Sequence, residues 1–208
     1  MTNYEKRLQY GHSDFFGRIA VPFYSVTFCL DVTRLKARCR EENLPFYYAM
    51  MYVTMRAVNS VEEFRYEMRD GLLTLRPYRS PSYTFPYEEE IFGICGVEWD
   101  ETESAADFTA RCKAAEQALT APLPTAEEDA SGCDVYLSCL PWFDYGHMTQ
   151  EFDLDRDDST PRILWGKFTA DERGTLTLPY TVQVNHRFLD GVHLGKLYEA
   201  LNRELREF

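Results

Sequence analysis

The feature that most constrains this chain is a strand pattern that runs straight into a helix pattern between Thr175 and Leu205. Residues alternate from Thr175 to Val184, which predicts a strand with one apolar side. The side chains on that side are Leu176, Leu178, Tyr180, Val182 and Val184. Beyond an Asp190-Gly191 pair, leucines recur every three or four residues up to Leu205, which predicts an amphipathic helix. A strand and a helix that share one core indicate a layered domain.

Helix and strand patterns also alternate through the rest of the chain. The predicted elements are a strand at Tyr24–Asp31, a helix at Val32–Glu42, a buried helix with Pro45 in its first turn, a hairpin at Met68–Leu75 and a helix at Asp107–Leu119. Two loops, 120–129 and 153–161, are interpreted as connections inside one domain that spans residues 1–208. Because no strict strand–helix–strand alternation occurs, we expect an α+β fold with a mixed β-sheet flanked by helices.

Composition narrows the classes of function. No apolar run approaches the roughly 20 residues of a membrane helix, and no signal segment follows Met1, so we expect a cytoplasmic protein without a membrane partner. A net charge of −12 argues against nucleic acid as a partner, because phosphate binding needs a basic surface. The six cysteines show no paired spacing, which in a reducing cytosol favours buried thiols over a zinc site.

Of the four histidines, His186 has the most suggestive position. It follows a buried strand and precedes the Asp190-Gly191 turn, where a rigid support can present a functional side chain. We interpret His12 and His147 as surface or satisfied core residues. A metal site built from His186, Asp190 and His193 is disfavoured, because their span crosses a strand–turn–helix boundary. We therefore expect no metal.

The segment from Asn185 to Gly191 resembles the His-His-x-x-x-Asp-Gly signature of the chloramphenicol acetyltransferases and related coenzyme A-dependent acyltransferases. The segment Ser138-Cys139-Leu140-Pro141-Trp142 resembles the Ser-x-x-Pro-Trp segment of that family. Further matches occur in family order from about Phe15 to the C-terminus, so the likeness covers nearly the whole chain. The length suits a stand-alone acetyltransferase, whereas condensation domains are considerably longer and dihydrolipoyl acyltransferases carry lipoyl and linker segments.

The resemblance implies a two-layer sandwich of the coenzyme A-dependent acyltransferase type, and an O-acetyltransferase with acetyl-CoA as co-substrate. It makes His186 the general base and the Ser138 hydroxyl the donor to the oxyanion of the tetrahedral intermediate. Asp190 supports the base through an ion pair and relays no proton. The resemblance also implies a ternary complex without an acyl-enzyme, and a homotrimer with active sites between subunits.

Three positions depart from the family pattern. Asn185 replaces the first histidine of the signature, which is not the base. The arginine that pairs with the signature aspartate aligns closest to Gln9, with Arg7 two residues away, so the partner of Asp190 is left open. A threonine that helps to hold the intermediate through water falls at Leu164.

The resemblance also places an acceptor pocket and a cofactor site. The acceptor-pocket positions are Phe15, Phe16, Tyr24, Phe92, Met148 and Gln150. The expected coenzyme A contacts are Lys167 and Phe168, where the lysine can meet the phosphates of the cofactor. For the aromatic residues an ordinary core role stays open as an alternative.

The implied acceptor is chloramphenicol or a similar hydroxylated small molecule, and antibiotic resistance is the role that chloramphenicol implies. Two alternatives stay open: a non-catalytic small-molecule binding protein on the same fold, and an acyltransferase for a different acceptor. The altered arginine and threonine positions favour the binding protein. Retention of both His186 and Ser138 favours an enzyme.

Overall fold

The computed structural model describes Lys6 and residues 10–124, 135–151 and 154–208. In chain order the elements are α1 (His12–Phe16), β1 (Phe23–Asp31), α2 (Thr33–Glu41), α3 (Phe46–Ser60), β2 (Tyr66–Arg69), β3 (Leu72–Leu75), β4 (Pro81–Glu88), β5 (Ile91–Gly96), α4 (Ala105–Ala118), β6 (Val135–Leu140), β7 (Arg162–Gly166), β8 (Thr169–Ala170), β9 (Leu176–Asn185) and α5 (Gly191–Glu207). A 3-10 helix at Glu62–Arg65 joins α3 to β2. None of the described helices combines the length and apolar character that crossing a bilayer requires.

Seven strands of the described chain form one mixed sheet in the order β1-β9-β7-β6-β4-β5, with β8 added to β9. β6 runs parallel to both of its neighbours, β4 and β7, and the other pairs are antiparallel. β2 and β3 form a separate hairpin. β1 pairs with β9 along its whole length, from Phe23 opposite Asn185 to Asp31 opposite Thr177. The mixed sheet with its flanking helices confirms the predicted α+β class.

Local sequence signals account for several element boundaries. The Ser104 hydroxyl accepts from the Asp107 N–H and begins α4. Asp70 and Gly71 have φ values of 53° and 76° and form the turn of the predicted hairpin, which is confirmed. Pro45 was predicted in the first turn of its helix but is the N-cap residue. Its ψ of 128° is extended, so α3 begins one residue later.

The helix-facing side of the sheet forms the core, as the alternation in β9 predicts. Leu178, Tyr180, Val182 and Val184 are buried there, together with residues of α3 such as Met50 and Val53. The predicted leucine stripe of α5 is buried in the same cluster. One apolar layer therefore lies between the sheet and its helices.

The other face of β9 is buried as well, which alternation alone does not predict. Thr181, Gln183 and Asn185 are all at most 2% exposed. The Thr181 hydroxyl donates to Tyr145 Oη at 3.2 Å, and the Gln183 side chain exchanges two hydrogen bonds with the backbone of Gln150. The segment between β6 and β7 thus covers this face and satisfies its polar groups.

The prediction of buried thiols holds only in part. Cys39, Cys95 and Cys112 are buried, whereas Cys139 is half-buried and Cys29 is exposed. Cys29 lies on β1, which is the edge strand of the sheet in the described part of the chain. Cys133 and parts of both predicted loops, within 125–134 and 152–153, lie outside the described residues.

Candidate active site

His186 lies just past the end of β9, where the chain turns towards α5. Its backbone N–H donates to the Pro22 carbonyl at 2.8 Å, so its main chain is still fixed to the residue before β1. The imidazole is 34% exposed. A reactant can therefore reach a side chain whose backbone is held by the sheet.

Two aromatic rings fix the plane of this imidazole. Phe16 stacks on it with ring centroids 3.8 Å apart and planes inclined by 7°. The Tyr24 ring lies 4.8 Å away, and its hydroxyl donates to the Leu189 carbonyl at 3.2 Å. Two of the predicted acceptor-pocket residues thus contact the predicted base, where they restrict rotation of its ring.

Asp190 faces His186 from the N-terminus of α5. Its Oδ1 atom lies 3.1 Å from His186 Nδ1. The two atoms are not aligned for a hydrogen bond, and Nδ1 is buried without a hydrogen-bond partner among the described residues. The negative carboxylate favours the proton on Nδ1 over the proton on Nε2. Nε2 is then the nitrogen that holds the lone pair.

His12 also contacts Asp190, with its Nε2 atom 2.7 Å from Asp190 Oδ1. His12 was interpreted from the sequence as a surface or satisfied core residue, and its position beside Asp190 was not foreseen. Sequence reasoning missed it because the contact joins two residues 178 positions apart. Arg7 and Gln9, the positions first considered for this partner, lie outside the described residues.

Behind Asp190 a buried polar chain leads away from the site. The Asp190 N–H donates to His193 Nδ1 at 2.8 Å, which leaves the ring proton of a neutral His193 on Nε2. That atom lies 3.5 Å from a carboxylate oxygen of Glu63, and Lys196 Nζ lies 2.6 Å from the same oxygen. Burial raises the pKa of Glu63, but the Lys196 hydrogen bond and the nearby His193 hold that pKa below its usual value.

His193 therefore does not join His186 and Asp190 as a third ligand. Its two ring nitrogens face the Asp190 backbone and Glu63. Among the described residues, three side chains that can ligate a metal do lie together: His12, His186 and Asp190. A site of His186, Asp190 and His193 was disfavoured from the sequence, and the contacts of His193 do not support one.

Asn185, which replaces the first histidine of the signature, has a structural role here. It is 2% exposed, and its side-chain amide donates to the carbonyls of Arg156 and Asp158 at 2.9 Å each. Its side-chain oxygen accepts from the Arg187 N–H. These bonds join the segment before β7 to the turn that carries His186.

Ser138 lies in the middle of β6 and is half-buried. Val135 and Leu137 on the same strand point into the core, so Ser138 points to the face opposite the helices. Its hydroxyl lies 2.9 Å from the Thr84 hydroxyl of β4. The next residue, Cys139, is a poor nucleophile, because burial raises the pKa of its thiol to about 12.

Within one chain the sheet register keeps Ser138 away from His186. Ser138 is opposite Leu164, and Leu164 is opposite Thr181, five residues before His186 on the chain. Five residues along a strand and two strand spacings across the sheet separate them by roughly 19 Å. One chain therefore does not bring the predicted base and the predicted oxyanion donor into contact.

The remaining acceptor-pocket residues are spread over the fold. Phe15 is 64% exposed beside Phe16. Phe92 is exposed on β5, at the opposite edge of the sheet from β1 and His186. Met148 and Gln150 belong to the segment that covers β9, and the buried amide nitrogen of the Gln150 side chain has no hydrogen-bond partner among the described residues.

The predicted coenzyme A residues lie just after β7, at the end of the sheet distant from His186. Lys167 is exposed, and its N–H donates to the Phe143 carbonyl. Phe168 packs edge-on against Phe46, and the Lys36 ammonium lies 5.1 Å above its ring. Lys167 and Phe168 follow β7, which pairs with β6, the strand that carries Ser138.

The arrangement around His186 can move a proton. It offers an oriented, accessible imidazole whose Nδ1 faces a carboxylate and whose Nε2 can accept from a hydroxyl. Ser138, the oxyanion donor that the resemblance implies, lies elsewhere on the described chain.

Comparisons with known proteins agree over nearly the full length. The family model described as chloramphenicol acetyltransferase matches residues 3–202. The chloramphenicol acetyltransferase of Bacillus pumilus is 30% identical over 184 residues, which cover 86% of this chain and 80% of that protein. Chloramphenicol acetyltransferase 2 of Haemophilus influenzae is 30% identical over 181 residues, with 86% and 83% covered.

Solved structures show the same fold. A chloramphenicol acetyltransferase superposes with a TM-score of 0.84 at 23% identity and covers 93% of each chain. The cubic core of a pyruvate dehydrogenase multienzyme complex superposes with a TM-score of 0.68 at 15% identity, covering 96% of this chain and 88% of that one.

Proposed function

The chain belongs to the chloramphenicol acetyltransferase family and is an acyltransferase, and we propose that it acetylates a hydroxyl of chloramphenicol or of a similar small molecule. Acetyl-coenzyme A is the proposed donor. The observation that carries the proposal is the imidazole of His186, which is accessible and is oriented by Phe16 and Asp190. The similar proteins are named chloramphenicol acetyltransferases, which supports the same activity.

The proposed reaction is one direct transfer in a ternary complex. His186 Nε2 takes the proton from the acceptor hydroxyl as that oxygen attacks the thioester carbonyl. The tetrahedral intermediate collapses with loss of the coenzyme A thiolate, which takes the proton from the imidazolium. Asp190 stabilises the imidazolium through charge while both substrates are bound.

Ser138 is the proposed donor to the oxyanion of that intermediate. Its hydroxyl has a single described side-chain partner, the Thr84 hydroxyl, which can accept the Ser138 proton or donate its own. When Thr84 donates, the Ser138 proton is available for the oxyanion. Thr84 is then a positioning residue for Ser138.

The separation of Ser138 from His186 supports a site formed between two copies of the chain. A donor roughly 19 Å from the base cannot act on the same carbonyl. We propose that His186 of one subunit meets Ser138 of its neighbour, and that three subunits close a ring. Exposed apolar side chains just after β6, Trp142 at 73% and Phe143 at 52%, support an interface on the Ser138 side.

The same assembly supports the proposed substrate contacts. Phe16 and Tyr24 form the acceptor wall beside the base, and Phe15, Phe92, Met148 and Gln150 are proposed to complete it across the interface. Lys167 and Phe168 are the proposed cofactor contacts, on the Ser138 side where the thioester has to lie.

The buried amide of Gln150 favours a second candidate, an acceptor more polar than chloramphenicol at that point of the pocket. A buried N–H without a partner is costly, and a ligand carbonyl or hydroxyl would satisfy it. The activity class and the mechanism are the same for both candidates.

The test of the function is acceptor-dependent release of coenzyme A thiol from acetyl-coenzyme A by the purified protein. Thiol release with chloramphenicol that disappears in His186→Gln supports the full proposal. Release with other hydroxylated compounds but not with chloramphenicol supports the second candidate. If no acceptor gives release and coenzyme A does not protect the protein against heat, the chain is not an acetyltransferase.

A further inference from the structure

Three side chains of metal-ligand type meet at the N-terminus of α5. His12, His186 and Asp190 each offer one ligand atom, and these atoms all lie within 4.8 Å of one another. His12 Nε2 is 2.7 Å from Asp190 Oδ1, and His186 Nδ1 is 3.1 Å from the same oxygen. Two imidazole nitrogens and one carboxylate oxygen are a donor set that binds Zn²⁺.

The spacing of these atoms suits a tetrahedral ion. Ligands about 2.0 Å from zinc in a tetrahedron are roughly 3.3 Å apart. The two distances to Asp190 Oδ1 are 2.7 and 3.1 Å and the two imidazole nitrogens are within 4.8 Å of each other, so small side-chain shifts bring all three atoms to that spacing. An entering ion would replace the proton between His12 and Asp190. The three side chains are 24%, 34% and 27% exposed in the single chain, whereas the His186 Nδ1 atom is buried. Zinc would therefore reach this atom as the contact between His12 and Asp190 opens, with water as its fourth ligand.

Surrounding groups already hold two of the three ligands. The Asp190 main chain is fixed by the bond to His193, and the His186 ring is fixed by the Phe16 stack. Nδ1 of His186 is buried and makes no hydrogen bond within the described part of the chain, so binding zinc there breaks no hydrogen bond. Fixed ligands bind a metal more tightly than ligands that must first be ordered.

We propose that Zn²⁺ binds across His12, His186 and Asp190 and switches off the base. Zinc on Nδ1 leaves the remaining ring proton of a neutral imidazole on Nε2. Neither nitrogen then carries a lone pair that can accept a proton from an acceptor hydroxyl. The zinc site stands on the geometry alone, whereas the loss of activity rests on the proposed role of His186.

Equilibrium dialysis of the purified protein against zinc chloride tests the site without an activity assay. We expect one zinc ion per chain. His12→Arg keeps a donor to Asp190 but offers no lone pair, and we expect zinc affinity at least about 100-fold weaker. His12→Gln and His186→Gln should show the same loss, and each variant is checked for its fold by circular dichroism.

His147→Gln is the matched control. His147 bonds only to the hydroxyls of Ser25 and Thr27 among the described side chains, so zinc affinity should be unchanged. No zinc binding by the wild-type chain, or equal binding by wild type and folded His12 variants, overturns the site.

The effect of zinc on activity is measured as acetylated acceptor by chromatography. An assay of released thiol is unsuitable, because the thiol of coenzyme A itself binds zinc. Added zinc should abolish turnover, and a chelator should restore it. Zinc that binds at these residues but leaves turnover unchanged overturns the inhibition and leaves the site. A chain without acetyltransferase activity would refute the proposed function, and the dialysis would still decide the zinc site.

Discussion

The imidazole of His186 lies flat against the ring of Phe16, with centroids 3.8 Å apart and planes only 7° from parallel. Phe16 belongs to α1, near the start of the chain, and His186 follows the last strand. The orientation of the proposed base is therefore set by packing between two distant segments. Removing this stack should affect the rate more than the fold, because Phe16 is only half-buried.

Replacing Phe16 by leucine should lower kcat by about tenfold, because a base that is free to rotate spends less time in the productive geometry. Phe15→Leu is the comparison variant, since Phe15 is largely exposed beside Phe16 and is a proposed acceptor contact, so its loss should raise KM more than it lowers kcat. Steady-state kinetics of both variants are the measurement. Equal kcat for the two would show that the stack does not orient the base.

His186→Gln should lower kcat by about 10²- to 10⁴-fold, the usual contribution of a general base, while the thermal midpoint stays close to wild type. Glutamine keeps a polar group of similar reach without a titratable nitrogen. Calorimetry and single-turnover rates at saturating substrates check both parts. A folded variant with wild-type turnover would remove His186 from the mechanism.

Ser138→Ala should lower kcat by about 10²-fold or more, as expected for loss of one oxyanion donor. Mixing this variant with His186→Gln tests the proposed site between subunits. After the two are unfolded and refolded together in equal amounts, random trimers should regain about one quarter of wild-type activity, because that share of interfaces receives both intact residues. Mixtures of two impaired variants that regain no activity would place both residues in one subunit and refute the shared site.

Glu63→Gln should destabilise the fold by about 1–3 kcal/mol at neutral pH, because it removes a charged hydrogen-bond partner of Lys196 in a buried position. The folded-state pKa of Glu63 is held below its usual value, so its contribution is present above the unfolded pKa of about 4.3. That contribution is lost as the pH falls through the folded pKa.

Urea unfolding at several pH values measures the free energy of unfolding of wild type and of Glu63→Gln. The difference in unfolding free energy between wild type and Glu63→Gln should narrow below about pH 4.3. Glu199→Gln, an exposed position on α5, the helix that carries Lys196, should show almost no difference from wild type at any pH. If the difference in unfolding free energy between the two proteins does not change with pH, the ionised form of Glu63 is not what stabilises the fold.

Much of the fold could be predicted because its signals are local. The alternation in β9, the Asp70-Gly71 turn and the leucine spacing in α5 each lie within a few residues and match the observed elements. The burial of Thr181, Gln183 and Asn185 could not be predicted, because the segment that covers them comes earlier in the chain and bonds through side chains. Alternation alone leaves that face to solvent.

The candidate site was predictable only at positions that match the family pattern. His186, Asp190, Phe16 and Tyr24 lie together as the resemblance implies. The role of His12 was hidden, because no local pattern distinguishes a histidine that meets Asp190 from any other near the start of a chain. The separation of Ser138 from His186 depends on strand order, which a single sequence does not give.

The pairing of β1 with β9 joins the first strand of the sheet to the last, from Phe23 opposite Asn185 onwards. During synthesis on the ribosome, β1 emerges well before its described partner β9, because the other strands of the sheet lie between them in the chain. A prematurely terminated product that lacks β9 would leave both β1 and β7 with unpaired edges, ready to aggregate or be degraded. β9 thus completes the sheet and brings His186 into place in the same step, so a product that ends before β9 has neither the proposed base nor a closed sheet.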